Sequence, residues 1–505
     1  MGLNNISFIK GKGGLGRPLA GKDHISGLLF YTNTLPSGFN SSNRVKQVFS
    51  VEEAEALGIN SNYSDETRAT CVYTVSAIGA NGDTVNVSIT EPFKTVDLGT
   101  YVKTATETTV TLIAAAIVSM INANTLVHGY SALNTAGAIT ITFRKGLGVF
   151  PNTGTPLVVT IFGTLAGSIT TAVAGGVASL QALYHYHISE YFRLQPKGNL
   201  FLGFYAVPVS TYTFEEIETM QTNALVNGDI RQVGVYAENL TFATSQLTAL
   251  QSVANSLDAL KMPLSVIYGC NIATGTSITS LTDLNGINAS KVSMVISQDN
   301  GALGRDLYKA TAKSITNLGS ILGAVSFANV QEDIAWVGKF NFSNGIELEN
   351  VGFCNGESGL SQNTLGGVND KRYIFLRKFP NLAGTFVNDS HTAVSVANDY
   401  AYIENSRVID KAIRGVDESL LPSLNSPLLL NSDGTLSNST IVYLESQATV
   451  ITDNMVRNNE ASAISVSIDP MQNVASTSQV VVTINIVPIG VARNIVVNIG
   501  FKTSI

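Results

Sequence analysis

Residues Gly11-Lys12-Gly13-Gly14-Leu15-Gly16 satisfy the pattern G-x-G-x-x-G, which in dinucleotide-binding proteins places a pyrophosphate on the first turn of a helix. That chemistry requires a helix to begin inside the motif. Here Arg17-Pro18 and a further glycine, Gly21, follow, and no helical periodicity appears. The phosphate-binding pattern G-x-x-x-x-G-K-[ST] is absent from the sequence. The glycines therefore favour a flexible or extended arm, and we expect no bound cofactor.

His185 and His187 lie two residues apart in the segment YHYHIS. Alternate side chains of a strand point to the same side, so on a strand both imidazoles could bind one metal ion. Glu190 is near, but no obvious third ligand follows at short spacing. We therefore interpret the segment as a strand with a structural histidine pair, and we expect no metal site.

Asp389-Ser390-His391 contain the three residue types of a hydrolytic triad. A triad, however, converges in space from separate segments, with its serine on a strained turn such as G-x-S-x-G. That pattern is absent from the sequence, and no cysteine has a recognisable nucleophile setting. The sequence therefore predicts a protein that is not an enzyme.

A row of cations follows on a predicted helix from Asp399 to Leu421. Arg407, Lys411 and Arg414 are spaced by four and three residues, so they line one face of that helix. Two interpretations are open at this point. The row is either a solvated basic stripe or a ridge that docks an acidic partner.

The composition favours a large soluble assembly. The 505 residues are 45% hydrophobic but only 13% charged, so much of the surface is expected to lie against other protein. No apolar run is long enough to span a bilayer, and the opening residues lack an export pattern. A net charge of −7 argues against nucleic-acid binding, and three scattered cysteines form no disulfide framework.

Residues Thr67 to Ala178 are rich in Thr, Val, Ala and Gly and carry few charges. Asn81-Gly82 stands between the predicted strands Val72 to Ile78 and Thr84 to Ile89, which predicts a hairpin. A helix is predicted from Thr109 to Asn122. We interpret this region as a self-contained α+β module inserted into a larger domain.

From Asn199 the pattern alternates between strands and helices. The predicted strands are Leu200 to Val207, Arg231 to Ala237, Leu264 to Tyr268 and Lys291 to Ser297, and the predicted helices are Thr213 to Val226, Thr244 to Leu260 and Leu307 to Leu322. This alternation predicts a layered α/β domain with a mainly parallel sheet.

The final part of the sequence predicts two strands, Val480 to Val487 and Asn494 to Phe501, joined by Pro488-Ile489-Gly490. The apolar residues of the last strand share one face: Ile495, Val497, Ile499 and Phe501. A long alternating terminal strand is an edge that must be paired or protected.

The region that begins at Arg377 resembles the signature of contractile tail sheath proteins. Its parts are RKFPNLAGTFVNDSHTA, NDYAYIENSRVIDKAIRGV and LLPSLNSP. The terminal segment VSIDPMQNVASTSQVVVTINIVPIGVARNIVVNIGF resembles the sheath terminus, with its Pro-x-Gly link between two strands. The opening ISFIKGKGGLGRP and the segment EAEALGI are also sheath-like.

This resemblance implies an α/β and α+β multidomain protein with a layered α/β core, an inserted β-rich α+β module, a C-terminal α+β sheath domain and extended N- and C-terminal arms that pair with neighbouring subunits. The expected division is an N-terminal linking arm (1–27), the first part of the core (28–66), the inserted module on the outer surface (67–178), the α/β core (179–380), the tube-facing sheath domain (381–493) and a C-terminal linking strand (494–505).

The resemblance also implies partners. Sheath subunits stack in six-fold rings around an inner tube protein, with baseplate and tail terminator proteins at the ends, and contraction drives the tube through a target envelope. The arms add strands to neighbouring copies of the same chain. The implied strand-addition residues are Ile6, Phe8, Ile9, Ile495, Val497, Ile499 and Phe501, and the implied tube contacts are Arg407, Lys411 and Arg414.

The resemblance implies a virion protein assembled in the bacterial host cytoplasm, without cofactor, direct nucleic-acid contact or membrane insertion. It fits an infectious phage, a bacteriocin-like particle and a cell-borne injector equally well. Two other classes are weighed against it. The Thr- and Val-rich module is also typical of a secreted or surface β-rich adhesin, and an α/β sheet can hold a ligand crevice at its strand ends.

Overall fold

The computed structural model of the chain describes residues 21–273, 276–344, 351–352 and 361–502. The glycine motif at 11–16 and the predicted strand-addition residues Ile6, Phe8 and Ile9 lie outside these ranges, as does Cys354. Among the helices of the described ranges, none is both long and apolar enough to cross a bilayer.

In chain order the strands are β1 (Ser26–Tyr31), β2 (Val45–Val48), β3 (Thr70–Ile78), β4 (Thr84–Thr90), β5 (Thr95–Val102), β6 (Ser131–Thr135), β7 (Ala138–Thr142), β8 (Leu157–Phe162), β9 (Leu165–Ala174), β10 (Leu200–Tyr205), β11 (Gln232–Thr241), β12 (Ser265–Asn271), β13 (Val292–Met294), β14 (Gln298–Asp299), β15 (Val351–Gly352), β16 (Leu376–Phe379), β17 (Leu382–Val387), β18 (Ala463–Ile468) and β19 (Val482–Val487).

The helices are α1 (Val51–Ala56), α2 (Val110–Ala123), α3 (Thr125–His128), α4 (Leu180–Leu194), α5 (Glu216–Gln221), α6 (Thr244–Ala259), α7 (Ala302–Thr311), α8 (Leu318–Phe327), α9 (Gln362–Asp370), α10 (Ile403–Leu420), α11 (Asn438–Arg457) and α12 (Val474–Thr477).

A six-stranded sheet forms the centre of the α/β part, in the order β13-β12-β11-β1-β10-β2. All its pairings are parallel except that of β10 with β2, so the predicted mainly parallel sheet is confirmed. β1 is buried along its whole length. Leu28 and Phe30 face one apolar core, and Leu29 and Tyr31 face the other. A strand covered on both faces needs a continuous apolar run, which GLLFY supplies.

Helices cover both faces of this sheet. α4 and α8 pack against the face of Leu28 and Phe30, and α5 and α6 pack against the face of Leu29 and Tyr31. The strand prediction for YHYHIS is wrong, because these residues lie in the middle of α4. Two signals fix that helix. Ser179 caps the first turn of α4, because its side chain accepts a hydrogen bond from the Ala182 amide. The buried residues of α4 recur with the helical period over about four turns and not at alternate positions.

The single helix predicted from Leu307 to Leu322 is also wrong. α7 ends at Ala312, which has a left-handed backbone with φ of 53°. The chain then crosses beside β14, where the Asp299 amide donates to the Ile315 carbonyl, before α8 begins. The apolar periodicity continues through the break because Leu307 and Ala310 of α7, Ile315 of the crossing segment and the whole of α8 up to Ser326 are buried.

The inserted region has its own apolar core, in which α2 packs between two antiparallel sheets, β6-β7-β3-β9 and β5-β4-β8. β3 and β4 belong to different sheets, so the hairpin predicted at Asn81-Gly82 is wrong. Gly82 has the positive φ that the sequence requires. The Asp83 carboxylate stabilises the turn between β3 and β4, because it accepts hydrogen bonds from the Ala80, Thr164 and Leu165 amides.

The chain enters and leaves this region at one place. Thr67 and Val177 exchange two backbone hydrogen bonds, with N···O distances of 3.2 and 2.9 Å. Beside them, the Asp65 carboxylate accepts from the Leu180 and Gln181 amides at the start of α4. The exact limits of the domains stay predictions.

The C-terminal part packs α10 against α11, and the β18–β19 hairpin lies on α11. Ile464 and Ile486 of the hairpin contact the small core formed by Val408 and Met455. The strand predicted from Asn494 to Phe501 is not formed within the chain, because the described residues offer it no paired neighbour.

A core substitution in α2 tests the separate core of the inserted region. Ile117 is 1% exposed, so Ile117→Ala should lower stability by about 3 kcal/mol through lost burial and a cavity. The matched control is Leu112→Ala on the same helix, where the side chain is 45% exposed and the expected change is about 0.5 kcal/mol. Calorimetric unfolding measures both. Equal losses at the two positions would contradict this core.

Candidate functional site

The C-terminal residues 494–502 present apolar side chains to solvent. Ile495 and Val497 are 77% and 72% exposed, and Ile499 and Phe501 are more exposed still. Val496 between them is also exposed. No strand of the described chain pairs with this segment. A run of β-branched and aromatic residues has the composition of a strand, and here it lacks a paired neighbour among the described residues.

Immediately before this segment, Arg493 binds three carboxylates of the main body. Its Nε lies 3.0 Å from Asp389 Oδ1, and its Nη2 lies 3.1 Å from Asp333 Oδ2. The same Nη2 also donates to Glu404. We call Asp333, Asp389 and Glu404 the carboxylate cage. The guanidinium also lies over the Tyr402 ring, 3.5 Å from its centroid, which is a cation–π contact.

Each member of the cage comes from a different element. Asp333 follows α8, Asp389 follows β17, and Glu404 stands in the first turn of α10. The helix N-terminus favours an anion at Glu404, and the Ser390 hydroxyl donates to this carboxylate at 2.5 Å. All three carboxylates are buried. The cage therefore fixes Arg493, and with it the point at which the C-terminal segment leaves the body.

Two members of the cage, Asp333 and Glu404, hold protons more tightly than ordinary carboxylates, because the pKa of each is raised. The pKa of Asp333 is raised to about 7, first by burial and then by the neighbouring Glu404 and Asp389 carboxylates, against a smaller lowering by the Ala335 amide and Arg493. Burial also raises the pKa of Glu404, although Arg493 opposes that rise. The pKa of Arg493 is raised, because the three carboxylates outweigh the effect of its burial. The guanidinium therefore stays charged while the cage around it titrates.

The cations predicted to contact a tube have partners within the chain. Arg407 is 4% exposed and donates to the Ala328, Asn329 and Asp23 carbonyls. Lys411 lies 2.6 Å from both Asp23 and Glu460, and Arg414 donates to the Pro263 carbonyl. These contacts bind α10 to the α/β part. Tube contact by the three cations stays a prediction.

The carboxylate that lies among Arg407, Lys411 and Arg414 is that of Asp23. Burial alone would raise the pKa of its carboxyl, but Lys411, Arg407 and Arg414 together hold that pKa below its usual range. Asp410 on the same helix forms a second buried ion pair with Lys291. Buried charges of both signs therefore join α10 to the sheet, and the solvated basic stripe is not what the structure shows.

The residues singled out for chemistry make structural contacts. His185 Nε2 lies 2.9 Å from Glu55, and His187 is buried against Tyr236 with its pKa lowered to about 3 by burial. Asp389 holds Arg493, Ser390 donates to Glu404, and His391 lies 3.0 Å from the Asn369 amide oxygen. Within the described ranges, no three His, Cys, Asp or Glu side chains are arranged to hold a metal ion.

The cage was not predicted from the sequence, although one signal pointed to it. Arg493 is the only charged residue between Asp469 and Lys502. A lone cation in such a segment indicates a specific anionic partner. Its three partners are spread over more than seventy residues, so only the fold brings them together.

A second feature of this region is the β18–β19 hairpin. The two strands pair only with each other among the described residues, so both outer edges lack a neighbouring strand. An apolar groove runs beside Ile484 and Ile486 of β19 and is walled by Ile413, Val416 and Leu420 of α10. The chain thus carries both an unpaired segment and an unpaired sheet edge.

Two family models match the chain. The DUF2586 N-terminal domain matches residues 3–391, and the DUF2586 C-terminal domain matches residues 399–505. The comparison with curated proteins found no match.

Two solved structures are similar to this chain, each at 13% identity over 63% of this chain and 80% of theirs. One is a cryo-EM structure of the anti-feeding prophage (AFP) baseplate, 6-fold symmetrised, with a TM-score of 0.43. The other is the PVC sheath complex of an extracellular contractile injection system in its contracted state, with a TM-score of 0.40.

Removing the guanidinium from the cage should destabilise the protein in a pH-dependent way. At pH 8, Arg493→Gln leaves three buried carboxylates without their cation, and we expect a loss of about 3 kcal/mol. At pH 5 the loss should be smaller, because Asp333 and Glu404 have raised pKa values and take up protons once the cation is gone. Thermal unfolding at both pH values measures this difference.

The control for this experiment is Lys22→Gln, which removes an exposed ion pair with Asp229. Exposed pairs contribute about 0–1 kcal/mol, so its effect should be small at both pH values. An equal loss for Arg493→Gln at pH 8 and pH 5 would show that the cage charges do not act together.

The role of Arg407 is tested by Arg407→Met, which keeps an unbranched stem but removes the guanidinium that donates to the Ala328 and Asn329 carbonyls. We expect the isolated chain to lose about 2–3 kcal/mol of stability, since buried polar groups become unsatisfied. Lys197→Gln, at an exposed lysine, is the control. Unchanged stability of Arg407→Met would favour a docking role over an intramolecular one.

Proposed function

The chain belongs to the DUF2586 family, and we propose that it is a sheath subunit of a contractile tail or tail-like injection machine. In this proposal the subunits polymerise around an inner tube and contract to drive that tube through a target envelope. The protein acts as a structural subunit and not as an enzyme. The proposal unites the sheath-like sequence segments with the exposed C-terminal segment.

The observation that carries the proposal is the unpaired apolar segment 494–502. Burying one large apolar side chain is worth about 1.5–3 kcal/mol, and four such side chains lie on the alternating positions 495 to 501. The isolated chain gains none of this energy. A strand added to another sheet would bury these side chains and satisfy the backbone groups of the segment at the same time.

The β18–β19 hairpin of a second copy is the acceptor that fits this segment best. Its edges lack a neighbouring strand within the described chain, and the groove beside Ile484 and Ile486 is apolar. A strand pairing with β19 would place alternate side chains over this groove. Donor and acceptor lie on the same chain, so each copy can give a strand to one neighbour and receive one from another.

Such a contact is heterologous, because the donating and accepting surfaces differ. Repetition of a heterologous contact that does not close generates an open helical polymer, which is the geometry of a sheath. Contraction is then a switch between two packings of rigid subunits whose linking segments stay engaged. The energy comes from many small interface gains, so no nucleotide is required.

Contact with an inner tube belongs to the same proposal. The sequence suggested Arg407, Lys411 and Arg414, whose charges the structure shows to be bound internally. The outward face of the neighbouring helix α11 is the more accessible surface, with Val442, Tyr443 and Val450 exposed. Baseplate and terminator proteins would bind the two ends of the polymer, and the assembled protein would reside in the virion or particle.

Charges placed on the apolar face of the C-terminal segment should abolish polymerisation without unfolding the chain. Val497→Asp together with Ile499→Asp introduces two carboxylates where a neighbour's sheet should cover the segment. Both positions are exposed in the isolated chain, so thermal unfolding should be unchanged. Electron microscopy and sedimentation should show tubes for the wild type and monomers for the variant.

The matched control is Asn498→Asp, which places one charge between the two apolar positions and should leave the tubes intact. Tubes formed equally by the double variant would contradict strand addition. Monodisperse wild-type monomers under all assembly conditions would instead favour the β-rich adhesin or binding protein.

A further inference from the structure

Three buried carboxylates surround one guanidinium at Arg493, so the cage has two more potential negative charges than its occupant can neutralise. In the part of the chain that the structure describes, Arg493 is the cation that forms ion pairs with these three carboxylates, and the other charged groups nearby have different direct partners. Arg372 lies over the Tyr402 ring at 4.9 Å, Arg407 is bound to carbonyls, and burial lowers the pKa of His391 to about 3, which keeps it neutral. Glu332, next to Asp333, is paired with Lys339.

Protons and the guanidinium compete for this cage. Arg493 lowers the pKa values of Asp333 and Glu404 while it is docked. Departure of Arg493 therefore lets the cage bind more protons. By linkage, a fall in pH favours the state that holds more protons, which is the state with Arg493 released. A rise in pH favours the docked state.

The position of Arg493 gives this competition a structural consequence. Arg493 is the last residue before the exposed segment 494–502. Among the described residues, the ion pairs that join this end of the chain to the body are those between Arg493 and the cage. Loss of the guanidinium from the cage would free the chain from about Pro488 onward, where the β19 strand has ended.

We propose that the carboxylate cage and Arg493 form an acid-released latch, which holds the start of the C-terminal segment at neutral pH and lets it go when the cage is protonated. The latch consists of contacts within one chain, so it does not depend on the sheath assignment. It would set the direction in which the segment leaves the body and make that direction depend on pH.

A nitroxide spin label on Val491→Cys, two residues before Arg493, reports whether this segment is held. Cys71 and Cys270 are buried, and Cys354→Ser in the background leaves a single reactive site. Spectra are recorded from pH 8 to pH 5 on full-length chains that all carry Val497→Asp and Ile499→Asp, which keep the protein monomeric and leave the cage residues as in the wild type. Arg493→Gln at pH 8 gives the reference spectrum of the released segment, and thermal unfolding confirms that each sample is folded.

In the wild type the ratio of mobile to immobile label should rise by up to about tenfold per pH unit for each proton taken up on release. Asp333→Asn with Glu404→Gln mimics the cage after two protons have bound and leaves only the Asp389 pair, so its label should be more mobile than that of the wild type at pH 8, with little further change at lower pH. The control Asp453→Asn, a carboxylate of α11 outside the cage, should follow the wild type.

Three results would overturn the latch. The first is a wild-type spectrum that stays the same from pH 8 to pH 5. The second is a label that is no more mobile at pH 8 in Asp333→Asn with Glu404→Gln than in the wild type. The third is a wild type that already matches Arg493→Gln at pH 8, because the segment would then not be held by the cage at all.

Discussion

The burial of charge along α10 is the constraint on which the architecture depends. From Glu404 to Arg414 this helix carries five ionisable side chains that lie against the rest of the chain rather than in water. Charges removed from water are costly unless each is paired or hydrogen-bonded. α10 can therefore occupy only the position at which all of its partners meet it.

Those partners come from distant parts of the chain. Asp23 precedes the first strand, Lys291 borders β13, and Arg493 follows the last hairpin. One helix thus aligns the start of the chain, the edge of the central sheet and the C-terminal segment. Apolar packing supplies the energy of each core, whereas these polar contacts select one arrangement of the cores relative to α10.

The sequence was informative where one period of apolar residues dominated. The central strands were predicted because a strand buried on both faces leaves an uninterrupted apolar run. The strand prediction for YHYHIS was wrong because the residues alternate over six positions, whereas the helical period appears only over the fifteen residues of α4. The serine that caps this helix, Ser179, lies outside the six-residue segment. The Asn81-Gly82 turn was located correctly, but a turn motif does not say whether the flanking strands pair with each other or with strands further along the chain.

Of the two parts of the candidate site, the exposed segment 494–502 was predictable from the sequence and the carboxylate cage was not. Alternating exposed residues at 495 to 501 are a local pattern, so the sequence alone indicated a segment that needs a partner. The cage joins residues separated by up to 160 positions, and its signal was a single cation in an otherwise uncharged tail. The basic row on α10 was recognised, but a helical face does not reveal whether water, a partner or the chain itself lies against it.

The hydrogen-bonded pair Thr67 and Val177 has a consequence for the relation between the core and the inserted region. The two chain ends that reach the core lie side by side, and their spacing is set by their own backbone contacts. The two chain ends therefore reach the core at the same spacing whether a folded module or a short turn connects Thr67 to Val177. Closing a longer connection costs little additional entropy. A sequence segment can therefore be inserted, deleted or replaced at this junction while the central six-stranded sheet keeps its register.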